Sequence, residues 1–161
     1  MKRFYAVLGL SLLLNSCGIW TNFTTYFNVY YNAKTSYETA LVEMSADKAE
    51  MFEFKHKKIN QKANQSFDKV IEKCSKILEK GEASSYFDDA LYMTGRAFYH
   101  KQEYSKSLRK FLELRTLSES DYYDESLLWI GRAQLQLLDY NDGTASLDSL
   151  ISVTEDDELK F

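Results

Sequence analysis

The phrase Asp89-Ala90-Leu91-Tyr92-Met93-Thr94-Gly95-Arg96-Ala97 returns later in the chain as Glu125-Ser126-Leu127-Leu128-Trp129-Ile130-Gly131-Arg132-Ala133, its glycine shifted by thirty-six positions. Each copy runs on into a turn and a tyrosine, Glu103-Tyr104 and Asp139-Tyr140. Self-similarity at such a period marks a supersecondary unit that buries its apolar face only against a copy of itself. The unit reads as a helical hairpin. The chain has no proline, and no stretch keeps the strict alternation of a half-buried strand, so the expected fold class is all-α. Gly95 and Gly131 are poor choices for isolated helices, where each costs about 1 kcal/mol against alanine. Their expected benefit is the close approach of a neighbouring helix. On propensity alone, alanine at either position is neutral or stabilising, whereas leucine overpacks the hairpin.

Upstream of the repeat the same periodicity continues in weaker form. Phe23, Tyr26, Phe27, Tyr30, Tyr31, Ala33, Tyr37, Ala40, Leu41 and Met44 lie along one side of a helix predicted from Trp20 to about Met44. A polar stretch, Ser45 to Gln61, reads as a solvated connector; its Lys55-His56-Lys57-Lys58 run is too short to imply a partner. Ala63, Phe67, Val70, Ile71, Cys74, Ile77 and Leu78 then form an amphipathic helix closed by Gly81. The expected organisation is an N-terminal region over 17–61 and a repeat region over 62–161. The clearest repeats are 85–118 and 122–153.

The first residues address the chain. Lys2 and Arg3 precede an apolar run from Phe4 to Leu14, then Leu14-Asn15-Ser16-Cys17-Gly18, the layout of a secretory signal. About eleven apolar residues fall short of the roughly twenty that span a bilayer as a helix. The residues before the break resemble the lipobox of bacterial lipoproteins, although Asn15 is not the residue favoured at its position. The resemblance implies cleavage of residues 1–16 and lipidation of Cys17 as the first mature residue; ordinary secretion with Cys17 a bystander is the alternative. Losing Lys2 and Arg3 takes the formal charge from −4 to a more acidic value. Such a chain offers no electrostatic footprint for nucleic acid. Only Cys74 then remains, which excludes an intrachain disulfide framework or a cysteine zinc cluster and reads as a buried structural thiol.

The repeat itself resembles the tetratricopeptide repeat. Leu91, Gly95, Phe98, Tyr104 and Phe111 match that family's pattern, with Ser107 where alanine is usual. In the second unit Leu127, Gly131, Tyr140 and Leu147 match, while Gln134 replaces the aromatic and Gly143 the alanine. The closing proline is missing from both units, and the period is two residues longer than the family's. The resemblance implies helical hairpins stacked as a short right-handed α-solenoid. It also implies a concave groove lined by Asp89, Tyr92, Arg96 and Tyr99, then by Glu125, Leu128, Arg132 and Leu135. Of these, Tyr92, Arg96, Tyr99, Leu128, Arg132 and Leu135 are the expected partner-binding residues. The two arginines would stand one above the other to grip a carboxylate. The bland alternative pairs them with Asp89 and Glu125 as surface salt bridges.

Catalytic chemistry is not indicated. His56 and His100 begin no metal-ligand spacing, and neither a phosphate-binding glycine loop nor a Gly-x-Ser-x-Gly elbow occurs. No enzyme activity, cofactor, metal or small-molecule substrate is expected. Asp148-Ser149-Leu150 resembles a short O-glycosylation motif of Bacteroidota periplasmic proteins. The block Ser84 to Tyr92, with the lipoprotein signal and the acidic helical repeats, resembles outer-membrane assembly lipoproteins of that phylum and their relatives, and the block Thr24 to Lys34 resembles the opening of repeat lipoproteins from the same phylum. The resemblance implies a lipid-anchored adaptor facing the periplasm, with outer-membrane or secretion proteins as partners. The alternative is a self-stacking structural subunit of a gliding, secretion or other envelope machine.

Overall fold

Local sequence sets where each helix begins and ends. The structure, a computed structural model, describes residues 26–45 and 59–154; the signal segment, Cys17 and the connector's Lys55-His56-Lys57-Lys58 lie outside the described residues. A π-helical turn, Tyr26–Tyr30, leads into α1 (Tyr31–Ser45), so the first aromatic stretch is not one uniform α-helix. Then follow α2 (Gln61–Leu78), α3 (Phe87–His100), α4 (Tyr104–Leu114), α5 (Tyr123–Gln136) and α6 (Tyr140–Val153). Asn60 starts α2: its side-chain oxygen accepts from the Ala63 N–H at 2.8 Å, while its amide donates to the Glu43 carbonyl at 2.7 Å. One side chain thus caps α2 and ties it to the end of α1. Gly81, at φ +64°, follows the end of α2 and opens a short 3₁₀ turn.

Among the described residues the fold is wholly helical, and consecutive helices pack as adjacent antiparallel neighbours. The pairs α1/α2, α3/α4 and α5/α6 follow one another, and α1, α3 and α5 also touch in succession. No described helix is long and apolar enough to cross a membrane.

Two cores meet on α3. In the first, Ala33, Tyr37 and Ala40 of α1 pack with Phe67, Val70, Cys74 and Ile77 of α2, and Ala90, Met93 and Ala97 of α3 close it. In the second, Leu91 and Tyr92 of α3 join Phe111 and Leu114 of α4 and Trp129 and Ile130 of α5. Because α3 is packed on two sides, its burial runs unbroken from Ala90 to Gly95 instead of following one stripe. Cys74 is fully buried beside Thr94, and burial pushes its thiol up to about 12. It is a buried core thiol, as expected.

The repeat is carried into backbone conformation. Gln102 (φ 62°) and Leu138 (φ 64°), thirty-six positions apart, both adopt the left-handed conformation in the turn between hairpin helices. In each turn the next N–H bonds back five residues, Glu103 to the Phe98 carbonyl and Asp139 to that of Gln134, both at 2.9 Å. Ser84 and Ser120 likewise accept from the N–H of Tyr86 and Tyr122 at the entrances to α3 and α5.

Both repeat glycines face the second helix of their own hairpin. A Cβ on Gly95 would lie 2.8 Å from the edge of the Phe111 ring; one on Gly131 would lie 2.7 Å from Leu147 and 3.0 Å from the Gly143 carbonyl oxygen. Close approach is therefore the reason for glycine, and an alanine there sets helix propensity against a contact under 3.0 Å. Helix propensity favours alanine, but at Gly95 the ring that must shift, Phe111, is fully buried in a close-packed core.

Candidate functional site: a polar and aromatic seam across three helices

Residues at steps of three and four put Asp89, Tyr92, Arg96 and Tyr99 along one face of α3, and Glu125 and Arg132 at matching positions of α5. Tyr30 and Tyr37 approach from the α1 side, and Tyr122 precedes α5. The Arg96 Nη1 donates to the Tyr92 hydroxyl at 2.8 Å, and that hydroxyl donates to Glu125 Oε1 at 2.5 Å. The same Glu125 oxygen accepts from the Trp129 indole N–H at 3.1 Å. The Arg96 guanidinium lies 5.3 Å from the ring centres of Tyr37 and Tyr92 and 4.6 Å from Trp129. Rings from α1, α3 and α5 therefore enclose one cation, a geometry in which each face attracts it through the ring quadrupole.

A second link lies toward the helix N-termini. Tyr122 stacks on Tyr92 with ring centres 4.1 Å apart and donates its hydroxyl to Asp89 Oδ1 at 2.8 Å. Tyr30 donates to the same oxygen at 3.0 Å. Burial raises the Asp89 carboxyl above its ordinary pKa, and the two phenols oppose that shift. Burial also raises the Tyr92 phenol, reinforced by its bond to Glu125. The salt-bridge alternative is corrected by these partners. Neither Arg96 nor Arg132 makes an ion pair among the described residues; Asp89 serves tyrosines, and Glu125 reaches Arg96 only through Tyr92.

The structure brings the two arginines to one tryptophan but gives them different surroundings. Arg132 lies 5.0 Å from the Trp129 ring centre and is exposed, whereas Arg96 is half-buried. Arg96 Nε is buried with no hydrogen-bond partner among the described residues, which fits a guanidinium held by rings instead of one aimed at solvent. Tyr92 is buried, with only 8% of its surface exposed, and Tyr99 is half-buried between Tyr104 and Trp129. Leu128 is half-buried on α5. Leu135 is half-buried over Gly143, where a Cβ would lie 2.9 Å from its side chain. It therefore contributes to the α5/α6 contact.

Tyr37, Tyr122 and Trp129 belong to this seam and were not among the residues expected there. For Trp129 a local signal exists, since Glu125 and Arg132 stand four before and three after it on α5. Tyr37 and Tyr122 reach the seam from other elements, so no spacing within α3 points to them. His100 closes the interior side: its ring stacks on Phe67 at 5.3 Å and meets Trp129 edgewise at 6.0 Å. Burial, and then the charges of Arg96 and Arg132, hold its pKa down to about 4. No group of His, Cys, Asp and Glu among the described residues is arranged to hold a metal.

Fold and seam together define the class: an all-α protein of paired helices whose first-of-pair helices are joined by an internal polar and aromatic network. No protein-family model and no curated protein matches this chain.

Proposed function

We propose that this chain is a membrane-tethered protein-interaction adaptor, a lipoprotein anchored through Cys17 at the periplasmic face of the outer membrane. On this reading its hairpins are tetratricopeptide-like units of a short right-handed α-solenoid, and the face formed by α1, α3 and α5 receives a partner from an outer-membrane assembly or secretion complex. It is a binding protein, not an enzyme. The observation that carries the reading is Arg132: an exposed guanidinium seated on Trp129, with no ion-pair partner among the described residues. Arg96, enclosed by three rings, acts as the brace that presents that surface.

Affinity capture from detergent-solubilised membranes tests the role. Arg132→Ala should leave the fold intact, because an exposed charge contributes at most about 1 kcal/mol. Capture should nevertheless fall by about 2–5 kcal/mol of binding free energy if the guanidinium meets a buried opposing charge. Arg132→Lys should restore only part of it, lacking the planar fork. Normal capture by Arg132→Ala and by Tyr99→Ala would remove this face from consideration. Cys17→Ser should release the chain from carbonate-washed membranes or leave an unprocessed precursor.

A second reading, a structural lipoprotein that stacks on sister chains, is favoured by the apolar side chains α6 leaves open, Ile151 and Val153 among them at 53% exposure each. On that reading the purified protein self-associates with no other component, and Ile151→Asp abolishes the association.

A further inference from the structure

Helix α2 carries a charge pattern that the seam does not use. Lys62, Lys69, Lys73 and Lys76 are spaced by seven, four and three residues. At 3.6 residues per turn these four side chains fall within roughly 60° of one another around the helix, a single row about 21 Å long. The apolar stripe of Ala63, Phe67, Val70, Cys74 and Ile77 is turned into the first core, which leaves the lysine row on the outside. Lys62, Lys69 and Lys76 are exposed and Lys73 is half-buried.

The neighbouring acids neutralise the row only at its C-terminal end, where Glu72 and Glu79 act on Lys76. Glu72 is engaged with Lys76 at 2.8 Å, and Asp68 is tied to Lys101 of the following turn. Lys62, Lys69 and Lys73 make no ion pair among the described residues. A net acidic chain thus presents a linear cationic edge on one helix of its first hairpin.

We infer that the lysine row of α2 rests on an anionic phospholipid surface. The form of the row selects that partner. Lysines are compact, mobile point charges, suited to a diffuse field of headgroups and unsuited to the fork geometry that recognises a single carboxylate or phosphate. The row follows one side of a single helix, so its charges are spread along about 21 Å instead of converging on one point. The inference rests on the reading of Cys17 as lipidated, because an acyl chain holds α2 at high effective concentration beside the bilayer. The acyl chains hold the protein at the membrane, and the basic row turns α2 toward its anionic headgroups. The acidic side chains Asp88, Asp89, Asp124 and Glu125 belong to the first turns of α3 and α5 and not to α2.

Vesicle sedimentation of the full chain carrying Cys17→Ser tests this without any acyl chain. Binding should be stronger to phosphatidylglycerol-containing vesicles than to pure phosphatidylcholine, and 0.5 M NaCl should abolish the difference. The triple variant Lys62→Gln, Lys69→Gln, Lys73→Gln should weaken binding to the anionic vesicles on the order of a hundredfold, at roughly fivefold per lysine. Its helical circular dichroism should match that of the parent chain. The matched variant Lys106→Gln, Arg109→Gln, Lys110→Gln on α4 removes the same charge and should lose much less. Equal losses in the two triples, or equal binding to both vesicle types, overturn the inference. So does retained vesicle binding by the α2 triple together with lost capture of an acidic protein from the membrane extract. Acyl labelling of Cys17 in cells is read separately, so failure of the anchor and failure of the row are distinguishable.

Discussion

The hairpins α3/α4 and α5/α6 are built by the same local rules and end in different environments. Gly95 lies under Phe111, and Gly131, thirty-six residues on, lies under Leu147. Their turns share a left-handed residue at matching positions. Yet Phe111 is fully buried and Leu147 only half-buried, because α5 covers α4 whereas no described helix covers the equivalent side of α6. Tyr92 of the first hairpin is sealed by Tyr122 arriving from the second, and Leu128, its counterpart, has no following tyrosine among the described residues. A repeat therefore fixes its own hairpin, while the next unit in line fixes how deeply that hairpin is buried.

The sharpest way to break this comparison is to truncate the residue that covers each glycine. Phe111→Ala should destabilise by about 3–5 kcal/mol, the cost of a large side chain removed from a close-packed core. Leu147→Ala should cost less, about 1–3 kcal/mol, because its site is half open to water. Equal losses in chemical denaturation would mean that α6 is covered as well as α4. His100 separates the hairpins by pH, since Gln136 stands at its position in the second. Its ring titrates near 6.5 when unfolded and near 4 when folded, so the unfolded chain binds the extra proton between these values. The stability it contributes is complete above about pH 6.5 and is lost as pH falls toward 4, by about 3 kcal/mol in all. His100→Gln should flatten the acid limb of stability against pH; an unchanged limb would mean that the imidazole is solvated in the folded state.

Alanine at the glycines should have a smaller effect that still discriminates. Gly95→Ala is expected to cost about 1–3 kcal/mol through displacement of the buried Phe111 ring. Gly131→Ala should cost less, since Leu147 can swing toward solvent even though the Gly143 carbonyl remains close. A higher melting temperature for Gly95→Ala would show that propensity outweighs the contact. The smallest change concerns the turns. Leu138→Gly should stabilise by about 0.5–1 kcal/mol by relieving a bulky residue at positive φ, and Gln102→Gly should match it. A loss in either variant would show that the side chain has a contact worth more than the strain.

Much of the architecture was legible before any coordinates. The expected second helix, Ala63 to Leu78, agrees with α2 within two residues, because its apolar positions form one stripe capped by Asn60 and released near Gly81. The repeats expected over 85–118 and 122–153 contain the helices α3/α4 and α5/α6. The seam was legible only in part. Arg96 and Arg132 occupy identical sequence contexts, Gly-Arg-Ala in both, and nothing local tells them apart.

Sequence alone determined the helices, their order, the paired turns and the positions at which two helices must approach without a side chain between them. These depend on periodicity, capping and backbone conformation, which act over a few residues. Tertiary structure alone decided that Arg96 is enclosed and Arg132 exposed. Enclosure requires Tyr37, Tyr92 and Trp129 to converge from three helices, with fifty-five and then thirty-seven positions between successive rings along the chain. A cation held by rings, like a carboxylate shared between two tyrosines, is a property of neighbours that only packing can supply.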